Sequence, residues 1–311
     1  MNRLATAPVA SDRPLAISLL LGASGWFAGI FLLVFVAVLL RPESAGQAAV
    51  AGSVLLAAAW GLFMVAHDGE QVFVAQLALP LSIAGQCLVL YAATRHASGI
   101  APIAGAALAL QAVLTLVMPN RLHRTLSTLF ATIAWALTLH FALFGEHDDW
   151  YRGAALHGTS LPVALASWLL TWGPVAVALW WAIRNESAWA ARGRAPLARP
   201  IITGLIAGLA FATLASQPFE SFRWFGAAVD AGDLALWPLL SALAALCALA
   251  AAFALGLRAL MALCAVAALL HVGHFYYALG TSLMAKSLLM LAMGAAFIAA
   301  ARVLRSKKEG A

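Results

Sequence analysis

The chain of 311 residues is 64% hydrophobic and 10% charged, with a formal net charge of +6. A soluble domain carries about 25% charged residues, so this composition cannot solvate a globule and excludes that class. The 18 Lys and Arg residues lie almost all in short loops and tails between apolar runs; that placement suits membrane orientation and headgroup contact and excludes nucleic-acid binding.

Apolar runs near 20 residues recur along the chain, the length that crosses about 30 Å of hydrocarbon at about 1.5 Å per residue. Cutting at charges, Pro and Gly predicts ten spans: 19–40, 47–66, 71–93, 100–118, 122–144, 161–183, 201–216, 234–256, 259–277 and 280–301. The expected fold is all-α, a polytopic helical membrane bundle forming one integral membrane domain over 1–311. Arg3 and Arg13 precede a first apolar segment longer than a secretory signal core, so it reads as a retained span.

An even span count puts both termini on one side. With the N-terminus inside, thirteen basic residues are cytoplasmic and four, Arg41, Arg95, Arg152 and Arg223, lie outside. This asymmetry predicts cytoplasmic N- and C-termini.

Between the spans, two outer loops are long. Gly145 to Ser160 carries Glu146, His147, Asp148, Asp149 and His157 at irregular spacing, with no HExxH and no paired CxxC, and reads as a solvated acidic loop rather than a metal site. Residues 217–233, QPFESFRWFGAAVDAGD, alternate aromatic and charged side chains as an outer interfacial helix does. On the inner side, 184–200 reads as a basic, Pro-broken cytoplasmic linker lying against anionic headgroups. Pro80 and the Trp172–Gly173–Pro174 run interrupt the third and sixth spans and free backbone carbonyls for a neighbour or ligand. Cys87, Cys247 and Cys264, without ligand spacing, read as small core residues. No nucleotide-binding, zinc or nucleophile-elbow motif occurs, so no catalytic set, cofactor or metal is expected.

The last hairpin, HVGHFYYALGTSLMAK from His271 to Lys286, holds an ionisable residue inside an apolar run, which by default marks a functional site. Three- and four-residue spacing puts His271 and His274 on one face of the ninth span and Ser282 and Lys286 on one face of the tenth. Lys286 has two readings. It either snorkels or pairs with Glu220, Asp230 or Asp233 of the outer loop, or it serves as a charge or proton site for transport. Tyr276 and Tyr277 read first as interface-belt residues and second as site residues.

The same hairpin resembles an uncharacterised bacterial multi-pass membrane family, a DUF4401-like domain of unknown function. Its features are a Gly and a basic residue opening a span, a YY pair, a Thr-containing turn, then KS and a Gly; Gly256, Arg258, Tyr276, Tyr277, Thr281, Lys286, Ser287 and Gly294 fill those positions. Two departures are His274 and Phe275, where another aromatic is expected, and Met284 and Ala285, which replace larger or acidic residues. The resemblance implies the bacterial inner membrane and, through gene neighbourhood, a partner carrying a GDYXXLXY domain or another membrane protein. It implies no activity. The resulting expectation is a non-enzymatic membrane subunit that binds a periplasm-facing partner through its outer loops and final hairpin, with a ten-helix transporter as the alternative.

Overall fold

The computed structural model describes residues 15–40, 42–66, 72–144, 161–211, 236–278 and 282–309. Among them are ten helices: α1 (Leu15–Leu40), α2 (Ala45–Val65), α3 (Val72–Thr94), α4 (Ile100–Val117), α5 (Arg121–Phe144), α6 (Leu161–Ala191), α7 (Ala195–Ala210), α8 (Leu236–Ala254), α9 (Arg258–Ala278) and α10 (Leu283–Glu309). The described residues contain no strand. Each predicted span falls on one helix. Five of them, 45–65, 73–94, 100–117, 121–143 and 165–191, are long and apolar enough to cross a membrane over their described residues.

Helix ends follow local chemistry. Ser44 opens α2 with a capping box, accepting the Gln47 amide at 3.2 Å while the Gln47 side chain accepts the Ser44 amide at 3.3 Å. Asn120 caps α5, its Oδ1 taking the His123 amide at 3.0 Å. Gly193, at φ +71°, closes α6: the Arg194 amide reaches the Trp189 carbonyl and the Gly193 amide the Ala190 carbonyl. Gly256, at φ +68°, ends α8 through the same pair of bonds, from Leu257 to Ala252 and from Gly256 to Phe253. Neither turn would tolerate a side chain without backbone strain.

These caps correct two expectations. The stretch 184–200, expected as a Pro-broken linker, is mostly helical, because α6 runs on through Ala191 and α7 starts at Ala195, leaving only a tight turn. The seventh predicted span, 201–216, meets the helix Ala195–Ala210, which begins six residues earlier; residues 212–216 lie outside the described ones. The outer segment 217–233 and the loop 145–160 lie outside the described residues.

The helices cluster into two compact units, Met1–Ser127 and Thr128–Ala311. In the first, α3 is the hub and packs against α1, α2 and α4. Small residues allow the approach. A Cβ on Gly52 would stand 2.7 Å from the Gly85 carbonyl oxygen, and one on Gly85 2.8 Å from the Gly52 oxygen, so α2 and α3 touch backbone to backbone. On α1, Gly25 and Gly29, one turn apart, face Gln76 and the buried ring of Pro80. The interruption in α3 thus serves packing.

In the second unit α7 is the hub, packed against α6, α8 and α9. Its Gly204–Ala210 run is buried on every side, and Gly208 lies against Thr132 of α5. Alanines 244, 245, 248 and 252 of α8 and Cys264, Ala267 and Ala268 of α9 complete this core. Of the three cysteines only Cys264 is a core residue; Cys87 and Cys247 are exposed on their helices, correcting the expectation for both.

Candidate functional site

Two groups of side chains carry chemistry. The first lies wholly in the α3-centred unit and consists of three polar pairs, each spaced four residues apart on one helix: Ser82 and Gln86 on α3, Gln111 and Thr115 on α4, His123 and Ser127 on α5. All six are buried, and a spacing of four keeps each pair on one helix face.

His123 is the centre. Its Nε2 stands 2.7 Å from the Ser82 hydroxyl oxygen and 3.4 Å from the Gln86 amide nitrogen, and its Nδ1 stands 3.2 Å from the Ser127 hydroxyl. An amide nitrogen only donates, so the Gln86 contact assigns Nε2 as the acceptor. Ser82 therefore donates to Nε2, and Nδ1–H donates to Ser127. Gln86 also donates to the Ser82 oxygen at 3.2 Å, and its own carbonyl accepts from Gln111 at 2.7 Å. Thr115 returns its hydroxyl to the Gln111 backbone carbonyl at 2.9 Å. Phe63 of α2 covers the imidazole edge-to-face at 5.6 Å. One acceptor, Gln111 Oε1, stays buried without a partner.

The arrangement ties three helices through neutral groups, which suits a low-dielectric interior where each unmade bond is costly. Chemically it can hold or pass a proton at His123, because a hydroxyl flanks each ring nitrogen. Sequence reasoning missed it. The available signal was the repeated four-residue spacing of polar residues in three successive apolar helices.

The second group is the hairpin of α9 and α10 singled out in the sequence. Ser282 caps α10, its Oγ 3.4 Å from the Ala285 amide. Lys286 therefore sits in the first helical turn, about 4.5 Å from the helix start at 1.5 Å per residue, and not deep within the span. A cation there opposes the positive end of the helix dipole. Its Nζ rests over the Tyr276 ring, 5.2 Å from the centroid, a favourable cation–π placement at the end of the hairpin. His271 goes elsewhere: it is buried, and its Nε2 donates to the Ala210 carbonyl at the end of α7, 3.0 Å away. The structure thus joins Lys286 to Tyr276 and sends His271 to α7. The side chains of His274 and Tyr277, and residues Glu220, Asp230 and Asp233, lie outside the described residues.

At the sixth-helix interruption, Trp135 of α5 donates its indole N–H to the Thr171 carbonyl at 2.9 Å, inside the turn that Pro174 loosens. That carbonyl follows the one of Leu170, which Pro174 leaves without its N–H donor, and it is taken up by a neighbouring helix. Trp168 and Trp172 keep buried indole N–H groups without an acceptor. No group of three His, Cys, Asp or Glu side chains suited to a metal occurs among the described residues.

Long apolar helices, with most buried polar side chains bonded between or within them, define a helical membrane protein. The chain belongs to the family described as Domain of unknown function (DUF4401), whose model matches residues 14–240. That match covers α1 to α7 and the start of α8; the α9–α10 hairpin, where the sequence resemblance was read, lies beyond it. No curated protein and no solved structure matches the chain.

Proposed function

We propose that this chain is a non-enzymatic, ten-span subunit of the bacterial inner membrane, with both termini cytoplasmic, that binds a periplasm-facing partner through its final hairpin and outer loops. The observation that carries this reading is the state of α10. It is 27 residues long, yet none of its positions with a described side chain is buried, and Leu283, Met284, Leu288, Leu291 and Ile298 are all largely exposed. Lipid accounts for the apolar face. It gives no use to Gly294, where an added Cβ would meet nothing; Ser287 by contrast is satisfied within the helix, its hydroxyl donating to the Leu283 carbonyl at 2.9 Å. A small residue midway along a membrane helix with no buried described side chain suits the close approach of a second protein helix.

Photo-crosslinkers at Leu291 and Ile298, in cells at native expression, test the proposal. A discrete heteromeric adduct supports it; adducts to lipid alone overturn it. Orientation has its own test. Cys placed at Thr159 should react with an impermeant reagent from outside, and Cys placed at Ser187 should not; the reverse pattern excludes cytoplasmic termini.

The His123 network favours a second reading, a small-molecule or ion transporter on the same ten-helix frame. Its charge site would be His123 rather than Lys286, since Lys286 occupies a helix end. Proton-coupled flux in liposomes that is lost in His123→Gln while the protein still folds would select this reading.

A further inference from the structure

We propose that the α6–α7 turn is a binding site for the phosphate headgroup of anionic phospholipids. The inference goes beyond the subunit reading and does not depend on it.

Length sets the position. At about 1.5 Å per residue α6 extends about 46 Å, roughly 16 Å more than the hydrocarbon layer needs. Trp180 and Trp181 come about 29 Å from its start, where a span re-enters the headgroup region, and both are about half exposed, as in an interfacial aromatic belt. The rest of α6 and the turn after it, residues 184–194, then lie at headgroup depth.

From residue 184 to residue 200 there are four arginines and one carboxylate. Glu186 is committed to Arg199, with its Oε1 2.8 Å from the Arg199 Nε, and this pair ties α6 to α7 across the turn. Arg184 stands over the Trp180 ring, 4.6 Å from its centroid. Trp181 stacks edge-to-face on Trp189 at 5.1 Å, which stiffens the same end of α6. The Gly193 turn then sets Arg192 and Arg194 on either side of one left-handed residue, both exposed. Arg184, Arg192 and Arg194 have no carboxylate partner among the described residues.

An exposed cation pre-oriented on an aromatic ring and two more fixed by a rigid turn match a phosphodiester, which guanidinium groups bind through paired N–H donors. The apolar faces of Trp180 and Trp181 sit where acyl chains begin. A soluble anion would leave them unused, and an acidic protein segment would have to compete with the headgroups that surround this depth. Lipid is therefore the occupant that fits both halves of the patch.

Native mass spectrometry of the full-length protein, released from detergent with added phosphatidylglycerol or phosphatidylcholine, tests this. Phosphatidylglycerol should be retained and phosphatidylcholine should not. Each of Arg184→Gln, Arg192→Gln and Arg194→Gln should weaken retention about fivefold, given the strength of a juxtamembrane cation toward an anionic surface, and Arg95→Gln should leave it unchanged. The triple Lys variant should keep most of the preference, and raising salt to 1 M should weaken it in the unmodified protein. Equal retention of both lipids, no loss in the triple Gln variant, or displacement by millimolar inorganic phosphate would each overturn the proposal. If the triple Gln variant fails to fold, the Lys variant and the salt series decide.

Discussion

The two units solve one problem with different chemistry. Around α3, helices meet through glycine contacts and a connected set of side-chain hydrogen bonds centred on His123. Around α7, they meet through alanines and glycines set among larger apolar side chains such as Trp172, Leu205, Ile206 and Leu209, with isolated polar contacts such as His271 to the Ala210 carbonyl. Both succeed because apolar side chains gain nothing by leaving lipid, so association must come from close packing or from polar bonds. The contrast suggests a division of labour: the α7-centred unit is frame, and the α3-centred unit holds the groups that can respond to a proton or a polar ligand.

The largest effect should come from Gly85→Leu. The added side chain has no room beside the Gly52 carbonyl, so a cost of about 3 kcal/mol is expected, read as a lower denaturation midpoint in detergent and faster amide exchange confined to α2 and α3. Unchanged exchange there would mean the two helices do not touch. Next is His123→Leu, which strips partners from Ser82, Gln86 and Ser127 at once and should cost about 2 kcal/mol. Adding Ser82→Ala should recover part of that loss. Strict additivity of the two would deny the network, and with it the contrast between the units.

His271→Leu should cost about 0.6 kcal/mol, the typical worth of one hydrogen bond between membrane helices. A loss as large as that of His123→Leu would show that the α7 core depends on polar bonds too. Smallest is Lys286→Met. The cation–π contact with Tyr276 is worth about 0.5 to 1 kcal/mol at an exposed site, and relief of the unfavourable helix-end charge offsets part of it. Stability should therefore change little. A loss near 3 kcal/mol, recovered by removing Glu220, Asp230 or Asp233 in a double-mutant cycle, would instead reveal a buried ion pair.

Hydropathy located each of the described helices, because long apolar runs of about 20 residues are what a bilayer crossing demands and little else in a chain imitates them. It misplaced the ends of α6 and α7 because it registers where apolar residues stop, whereas a helix stops at a backbone cap. Arg184 and Glu186 are good helix formers, and Asn185 returns its side-chain amide to the Trp181 carbonyl at 2.8 Å, so α6 is carried onward to the Gly193 turn. It also overstated the depth of Lys286, since Ser282 begins α10 later than the apolar run suggests. The His123 network escaped notice for another reason. Each of its residues looks like a lone polar substitution in an apolar run, and only tertiary contact among α3, α4 and α5 makes them one object. The singled-out Lys286, His271 and Tyr276 were legible as unusual, but which of them touch was not.

The enclosed stretch of α7 bears on how the chain tolerates different bilayers. A helix of 16 residues is about 24 Å long, shorter than ordinary hydrocarbon thickness. On a lipid-facing helix that shortfall would thin the surrounding membrane or force flanking residues to stretch. Over Gly204–Ala210 no side faces outward, so the mismatch is absorbed by protein rather than by lipid. Thickness sensing must then fall to the outer helices, and α7 can enter the membrane only in the company of the neighbours that enclose it.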